Sequence, residues 1–336
     1  MPAAKKFTII ILCLLCFQTA RADWTKRESG TLAWLRDVYF LNENKGFIAG
    51  AGGTLLSTKD GGKIWKTEAK FTGDAIDQIY FSDENTGWLL CQKNQFSRGA
   101  DSSSYLLKTI DGGARWERDD FGTGRARITK IFSTKNGFVM AIGESGVLLA
   151  LADNGAKWKR IISPTRHLLL DGKFTDDSHG AIVGAGATIL FTEDAGASWN
   201  SATIQGAAKP KLNRVFFANQ KTGWTVGSEG KIYQTINGGK AWREQNSGTT
   251  ENLTDVFFIN TAEGWAIGDG GTILHTTTAG NVWSSVESKT THRLEKIFFD
   301  GEKGWAVGFG GTILSFDKVN ANDNFSLKPQ LMKRDD

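Results

Sequence analysis

The first candidates for chemistry in this sequence are its four tyrosines, because a sialidase-type hydrolysis uses a tyrosine nucleophile with a paired acid. Such a site also needs three arginines that converge on the substrate carboxylate. Tyr39 and Tyr80 stand where sister segments have phenylalanine, and Tyr105 and Tyr233 stand where they have isoleucine and leucine. All four fit packing positions, which leaves no tyrosine for a nucleophile. We therefore predict that the protein is not an enzyme.

Cysteine and histidine offer no stronger site. Of the three cysteines, only Cys91 lies outside the N-terminal apolar run, so no internal disulfide is expected. Cys91 takes the place of a glycine in sister segments, and no histidine recurs near it, which favours a small packing residue over a nucleophile. No group of His, Cys and Asp has metal-ligand spacing. The glycine pairs belong to a repeated turn, so the sequence predicts neither a metal nor a cofactor.

A set of mostly charged side chains of both signs stands at the third position of a recurring strand. Its members are Asp37, Gln78, Lys130, Asp171, Arg214, Asp255 and Lys296. If the repeats form a ring, these residues lie near its axis and could line one mouth of a central channel. The alternative is a solvated rim of charges that compensate one another.

The densest basic stretch begins within an insertion of polar residues at 92–103. Its cations are Arg98, Arg115, Arg118, Arg125, Arg127 and Lys130, and the acids Glu117, Asp119 and Asp120 lie among them. We predict that it binds an acidic segment of a protein partner. A solvated face with local ion pairs is the alternative, and the sequence does not decide between them.

The elements that would position these residues come from an internal repeat of about forty residues. Tryptophans mark its seven copies, at Trp24, Trp65, Trp116, Trp158, Trp199, Trp242 and Trp283. Each unit carries four short segments rich in β-branched and aromatic residues, with no helical periodicity between units. This pattern predicts an all-β, seven-bladed β-propeller with four-stranded blades.

A turn with an aspartate or asparagine precedes five of the seven anchor tryptophans. A short carboxylate or amide can accept backbone N–H groups and hold a tight reversal of the chain. We predict this structural role for Asp60, Asp111, Asp153, Asp194 and Asn237. Because the same turn recurs along the chain, it is not evidence for catalysis.

The two ends of the repeat region complement each other. Trp24 has the spacing of an anchor tryptophan but no complete unit before it, and the last unit stops near Asp317 without a tryptophan. We predict that the N-terminal strand completes the last blade and closes the ring. The propeller then spans residues 23–317, followed by a loosely ordered polar tail at 318–336.

Residues 1–22 have the pattern of a secretory signal: Lys5 and Lys6, an apolar run, and Ala20-Arg21-Ala22. Its removal takes the formal charge from +4 to +1, which argues against nucleic acid or anionic lipid as partners. We expect a monomer without a membrane span, exported to the periplasm, the cell surface or the lumenal side of a membrane.

Two motifs carry a family resemblance. The run Gly-Trp-Ala-Val-Gly with Gly-Gly-Thr-Ile-Leu, at 304–308 and 310–314, accompanies Thr-x-Asp-Gly-Gly-x-x-Trp at 58–65 and 109–116. Together they resemble the photosystem II stability and assembly factor family of chloroplasts and cyanobacteria, over residues 23–317. The resemblance implies a non-enzymatic propeller on the lumenal side of a membrane. It also implies binding of the reaction-centre D1 precursor, partly through an arginine-rich patch.

The sequence thus favours an exported scaffold or assembly factor for a membrane or envelope protein complex. A carbohydrate-binding or sialidase-like glycosidase propeller is the second hypothesis. It would be favoured by an exposed aromatic platform or by an arginine trio in the channel mouth. A surface adhesion module is the third.

Overall fold

Short β-branched and aromatic segments separated by glycine-containing turns form seven antiparallel sheets arranged in a ring. The computed structural model describes residues 23–93, 103–121, 126–134, 136–152, 157–206 and 208–317. The predicted seven-bladed β-propeller is confirmed. The predicted signal segment, 1–22, and the predicted tail, 318–336, lie outside the described residues.

Each blade has four strands, which follow one another from the axis outwards. The innermost strands of blades 1 to 7 are Leu35–Phe40, Ala75–Phe81, Ile128–Ser133, Leu169–Phe174, Leu212–Phe217, Leu253–Phe258 and Leu294–Asp300. The second strands are Gly46–Gly50, Gly87–Gln92, Val139–Gly143, Gly180–Gly184, Gly223–Gly227, Gly264–Gly268 and Lys303–Gly308. The third strands are Leu55–Thr58, Ser104–Thr109, Leu148–Ala152, Ile189–Thr192, Ile232–Thr235, Ile273–Thr276 and Ile313–Asp317.

The outermost strands are more exposed, and in blades 1, 2, 4 and 6 they are also shorter. In blades 1 to 6 they are Lys66–Thr67, Glu117–Asp119, Lys157–Ile161, Asn200–Ser201, Ala241–Gln245 and Ser284–Ser285. In blade 5 a further strand, Thr203–Ile204, pairs in parallel with Ala241–Gln245. Single turns of 3-10 helix follow second strands at Ala51–Gly53, Glu144–Gly146, Ser228–Gly230, Asp269–Gly271 and Phe309–Gly311.

A β-bulge near the start of every innermost strand decides where its side chains point. In blade 1 the register shifts between Leu35 and Asp37, and the other six innermost strands shift at the same place. As a result Val38 and Phe40 pack against the preceding blade, in one cluster with Trp305. The third and fifth residues point towards the next blade instead.

The hydrophobic core lies between neighbouring blades. The cluster between blades 7 and 1 joins Leu35 and Val38 to Val307 and Ile313, and similar clusters fill the other gaps. Each blade thus buries both faces of its sheet, which leaves the outermost strands at the rim.

The repeated turn is held by a carboxylate and a threonine together. The hydroxyl of Thr58 donates to Asp60 Oδ1 over 2.8 Å and accepts the N–H of Gly62 at 3.0 Å. Asp60 Oδ1 also accepts the N–H of Ile64 at 3.0 Å. Gly62 has a φ of +78°, and a Cβ there would lie 2.3 Å from Nε1 of Trp305. The turn therefore needs glycine both for its backbone angle and for the indole of the neighbouring blade.

The same arrangement recurs at other turns. The residue at the aspartate position accepts the backbone N–H four residues later at Asp111, Asp194 and Asn237. Blade 6 uses Thr278 instead, whose hydroxyl accepts the N–H of Val282 at 3.0 Å. Asp153 lies outside the described residues.

Closure of the ring by the N-terminal strand is confirmed. Thr25–Arg27 pairs antiparallel with Ile313–Asp317 and forms the outermost strand of blade 7. Trp24 is fully buried, with its ring centroid 6.0 Å from Phe299 and 5.3 Å from Phe316. The first strand of the propeller thus completes the sheet formed by the last three.

We expect Trp24→Ala to lower the free energy of unfolding by about 3–5 kcal/mol, because it empties a buried indole site at the point where the ring closes. Chemical denaturation followed by circular dichroism measures the loss. Lys26→Ala, on the exposed side of the same strand, is the matched control and should stay within about 0.5 kcal/mol of the wild type. Equal stability of the two variants would contradict a structural role for this strand.

Candidate functional site

The innermost strands surround a central funnel of about 1220 Å³. It opens where these strands end and their loops begin, beside Ser82, Thr134, Asp176 and Asn219. Two layers of side chains line it below this rim. We call them the collar and the charge belt. They come from the fifth and the third position of each innermost strand, counted from Leu35 in blade 1 and from the equivalent residue of the other blades, which is Ile76 in blade 2.

The charge belt consists of Asp37, Gln78, Lys130, Asp171, Arg214, Asp255 and Lys296. Its four acceptors each bond to a backbone N–H of the next blade. The bonds run from Ile79 to Asp37 (2.8 Å), from Ile131 to Gln78 (2.9 Å), from Val215 to Asp171 (2.9 Å) and from Ile297 to Asp255 (2.9 Å). The belt therefore joins neighbouring innermost strands around the axis.

The three cations of the belt pair with two of its acids. Lys130 Nζ lies 3.1 Å from Asp171 Oδ1, and Lys296 Nζ lies 2.9 Å from Asp255 Oδ2. The Nε of Arg214 lies 3.9 Å from Asp255 Oδ1. Asp37 has no cation within ion-pair distance among the residues that the structure describes.

Burial and charge act differently on the belt carboxylates. Burial raises the pKa of Asp37, although Lys296, Lys130 and the N–H of Ile79 offset part of that effect. Burial also acts to raise the pKa of Asp171, but the charges of Lys130 and Arg214 outweigh it and lower the pKa. The difference follows from the ion pair that Asp171 has and Asp37 lacks.

The sequence predicted that these residues line a channel mouth or form a solvated rim. The structure places them in one ring around the axis, below the collar. Their three carboxylate residues are buried, with at most 6% exposure. The belt is thus a structural joint, and its two lysines remain partly accessible from the funnel.

The collar was not predicted as a unit. Its members are Tyr39, Tyr80, Phe132, Lys173, Phe216, Phe257 and Phe298. Adjacent rings meet from Phe216 to Phe257 (centroids 4.8 Å apart), on to Phe298 (6.1 Å) and on to Tyr39 (6.3 Å). The signal for it lay in the repeat alignment, where the fifth position is aromatic in every blade except blade 4.

The predicted basic stretch is divided between different parts of the fold. Arg115 follows the turn of blade 2, is 89% exposed and lies 3.0 Å from Asp111. Arg118, on the outermost strand, pairs with Asp120 at 2.9 Å, and its guanidinium lies 4.2 Å from the ring centroid of Tyr105. These two arginines lie at the outer edge of blade 2.

The remaining members lie nearer the axis or outside the described residues. Arg127 precedes the innermost strand of blade 3 and pairs with Asp77 at 2.8 Å, an acid that it shares with Arg36. Lys130 belongs to the charge belt. Arg98 and Arg125 lie outside the described residues, so binding by the whole stretch stays a prediction.

The candidate nucleophiles and bases are held in structural positions. Cys91 is buried, which raises the pKa of its thiol to about 12. The histidines bond within their own blades: His167 to Thr188, His179 to Asp176, His275 to Glu263 and His292 to Thr312. Within the described ranges, no cluster of His, Cys, Asp and Glu could hold a metal ion.

The belt predicts opposite outcomes for two similar substitutions. Asp37→Asn removes an unpaired buried charge and keeps an oxygen for the N–H of Ile79, but it gives up the acceptor of the Val38 N–H. The free energy of unfolding at pH 7 should therefore rise, or fall by no more than about 1 kcal/mol. Asp255→Asn leaves Lys296 and Arg214 without their acid. Removing one partner of a buried ion pair lowers the free energy of unfolding by about 3–5 kcal/mol. We expect a smaller loss here, because both cations keep some contact with water. Denaturant titration of both variants checks this, and a larger loss in Asp37→Asn would contradict it.

The pH dependence follows from the raised pKa of Asp37. A raised folded-state pKa gives stability that is present below the ordinary value of 3.8 and is lost as pH rises through the folded-state value. The advantage of Asp37→Asn over the wild type should therefore be absent below pH 3.8 and grow above it. Thermal melts of both proteins across this range measure the difference, and a constant gap would contradict a buried, unpaired charge.

Comparison with known proteins finds a family model and a relative that match this chain. The model of the family described as photosynthesis system II assembly factor YCF48 matches residues 156–244, 208–293 and 244–331. A photosystem II assembly lipoprotein Ycf48 from Synechococcus sp. (strain CC9902) is 37% identical over 75 residues. That match spans 22% of this chain and 22% of the relative, so the chain covers about a fifth of the relative's length.

Solved structures share the fold at low identity. YCF48 bound to a D1 peptide has a TM-score of 0.71 at 20% identity, covering 88% of this chain and 95% of that one. YCF48 from Cyanidioschyzon merolae has a TM-score of 0.72 at 20% identity, covering 89% and 100%. Virginiamycin B lyase from Staphylococcus aureus reaches 0.73 at 13% identity, covering 88% and 99%. Because the family model matches residues 156–331, more than half of the chain, this protein belongs to the Ycf48 family of photosystem II assembly factors.

Proposed function

We propose that the protein is an exported, non-enzymatic scaffold that binds a subunit of a membrane protein complex during assembly. The observation that carries the proposal is the family match over residues 156–331. A structural neighbour of the same family is bound to a D1 peptide, which supports a membrane protein as the class of partner.

The site geometry supports a binding role over catalysis. The fold is shared with a lyase, so the fold alone does not decide. The cations that line the funnel in the described part of the chain are lysines, and no arginine trio converges there. Tyr233 and Tyr105 are buried, and Cys91 has a thiol too weakly acidic to act as a thiolate at neutral pH. The polar groups of the belt are engaged in joining blades.

Export rests on the predicted signal at 1–22 and on the lipoprotein name of the Synechococcus relative. The described residues contain no helix of the length and apolarity needed to cross a membrane. We place the protein on the periplasmic, lumenal or outer side of its membrane.

The outer edge of blade 2 is the part of the basic stretch most open to a partner. Arg115 is held to Asp111 through Nε, which leaves the rest of its exposed guanidinium fork to meet a partner carboxylate. Arg118 adds a guanidinium stacked on Tyr105. Arg127 is a poorer probe, because its loss would leave Asp77, which is largely buried, with fewer partners.

We expect the double variant Arg115→Gln/Arg118→Gln to fold normally, because exposed ion pairs contribute about 0–1 kcal/mol each. Its capture of membrane complex subunits from solubilised host membranes should fall several-fold at low salt, and the difference should shrink at high salt. Lys240→Gln is the control, since it removes an ion-paired cation of blade 5 whose exposure is similar to that of Arg118. Equal recovery of the same partners by wild type and double variant would remove this edge from the proposal.

The purified protein should not hydrolyse sialosides or aryl glycosides above background. Enzymes accelerate reactions by about a millionfold or more, so real turnover would be evident in a chromogenic assay. Turnover that a single substitution in the funnel abolishes would contradict the scaffold proposal and favour a glycosidase.

A further inference from the structure

Lys173 interrupts the collar at blade 4, where the other six blades place an aromatic side chain. The neighbouring residue Gly172 explains how the interruption is accommodated. The ring of Phe132 from blade 3 packs so closely on Gly172 that a Cβ at this glycine would lie only 2.6 Å from the ring. Phe132 is thereby buried at 4% exposure and offers the funnel little aromatic surface, while the Lys173 side chain is exposed to the funnel.

The ammonium of Lys173 has no carboxylate within ion-pair distance in the described ranges of the chain. Asp171 is the acid whose charge acts on it, but Asp171 is already held by Lys130 and the N–H of Val215. Enclosure by the funnel walls lowers the pKa of Lys173, and the charges of Lys130 and Lys296 add to that effect. Lys173 is thus a cation in a confined space without an anion of its own.

The other charges of the funnel do not supply that anion. The belt below holds three acids and three bases, so its formal charges cancel. At the rim, Asp176 accepts the N–H groups of Ser178 and His179 and pairs with the His179 ring. One positive charge at the collar therefore remains uncompensated.

On blades 5, 6, 7 and 1 the collar side chains are aromatic. Phe216, Phe257, Phe298 and Tyr39 are half-buried and contact one another in sequence around the axis. The funnel, at about 1220 Å³, has enough space for a small organic ligand, since typical small-molecule sites measure roughly 300–1,000 Å³. Half-buried rings beside one unpaired cation are suited to a ligand that is apolar over most of its length and carries one negative charge.

We propose that the funnel is a binding site for a small apolar organic acid. Its carboxylate pairs with Nζ of Lys173, and its hydrocarbon or aromatic body lies against the collar rings of blades 5, 6, 7 and 1. The site is separate from the outer edge of blade 2 and does not depend on the proposed scaffold function.

The first experiment compares two probes of similar shape, which differ mainly in charge. 1-Anilinonaphthalene-8-sulfonate is an aromatic monoanion, and N-phenyl-1-naphthylamine is its uncharged analogue. Fluorescence titration of the folded protein should show one site for the anion. Lys173→Met should lower the affinity for the anionic probe by about tenfold or more, which is the scale of one charge-assisted contact. The affinity for the neutral probe should stay within about twofold of the wild-type value. Lys221→Met, at the rim of the same funnel, is the matched control and should change neither affinity.

The second experiment places the apolar body. Phe257→Leu should weaken both probes, because the collar ring contacts the part that they share. Decanoate should displace the anionic probe from the wild type at lower concentration than decanol does, and this preference should vanish in Lys173→Met.

Four results would overturn the proposal: no saturable anion binding by the folded wild type, equal anion affinity in Lys173→Met, an equal loss in Lys221→Met, or no preference for decanoate. Melting temperatures of all variants show whether a substitution has loosened the packing, because a loosened protein binds such probes outside the funnel.

Discussion

The architecture depends on the bond between a side chain of one innermost strand and a backbone amide of the next. An innermost strand has no hydrogen-bonding neighbour on its axial edge, so some of its buried N–H groups need other partners. Asp37, Gln78, Asp171 and Asp255 provide these partners across four of the blade junctions. The β-bulge makes this possible, because it turns the third residue of each strand towards the following blade.

A ring of seven members imposes a further constraint on the belt. Acceptors and cations cannot alternate perfectly around an odd number of positions, so two positions of one type must be adjacent. The chain places two acceptors side by side, at Asp37 and Gln78, and one of them is neutral. The neutral amide avoids two adjacent buried carboxylates, and Asp37 is still left without a direct cation. The raised pKa of Asp37 is the electrostatic consequence of this arrangement.

The fold could be predicted because its signals are local and repeated. The blade number followed from the anchor tryptophans and the turn residues. Closure by Thr25–Arg27 followed from Trp24, which has the spacing of an anchor tryptophan but no complete unit before it. The bulge could not be predicted, because it shifts register without a distinctive residue type, and the face of the third and fifth positions depends on it. The hydrogen-bonding role of the threonine two residues before Asp60 was also missed, although this threonine belongs to the repeated motif.

The basic stretch shows why sequence proximity predicts little about surfaces in this architecture. Successive strands of a blade step outwards by about 4.8 Å each, and the chain then returns to the axis for the next blade. Arg118 on an outermost strand and Lys130 on the next innermost strand are therefore close in sequence but lie at opposite radial ends. Positions one repeat apart, in contrast, meet around the axis, as the belt and the collar do.

Departures from the repeat carry most of the information about function, and at the collar they are coupled. Gly172 has no side chain to displace Phe132, so the ring of blade 3 can enter the core between blades 3 and 4. Phe132 therefore offers the funnel wall little aromatic surface, and the adjacent Lys173 places a charge there. Packing alone would be satisfied by an aromatic residue at 173, as in the sister blades. A lysine at this place costs desolvation without an ion pair in the described structure, and binding of an anion would offset that cost.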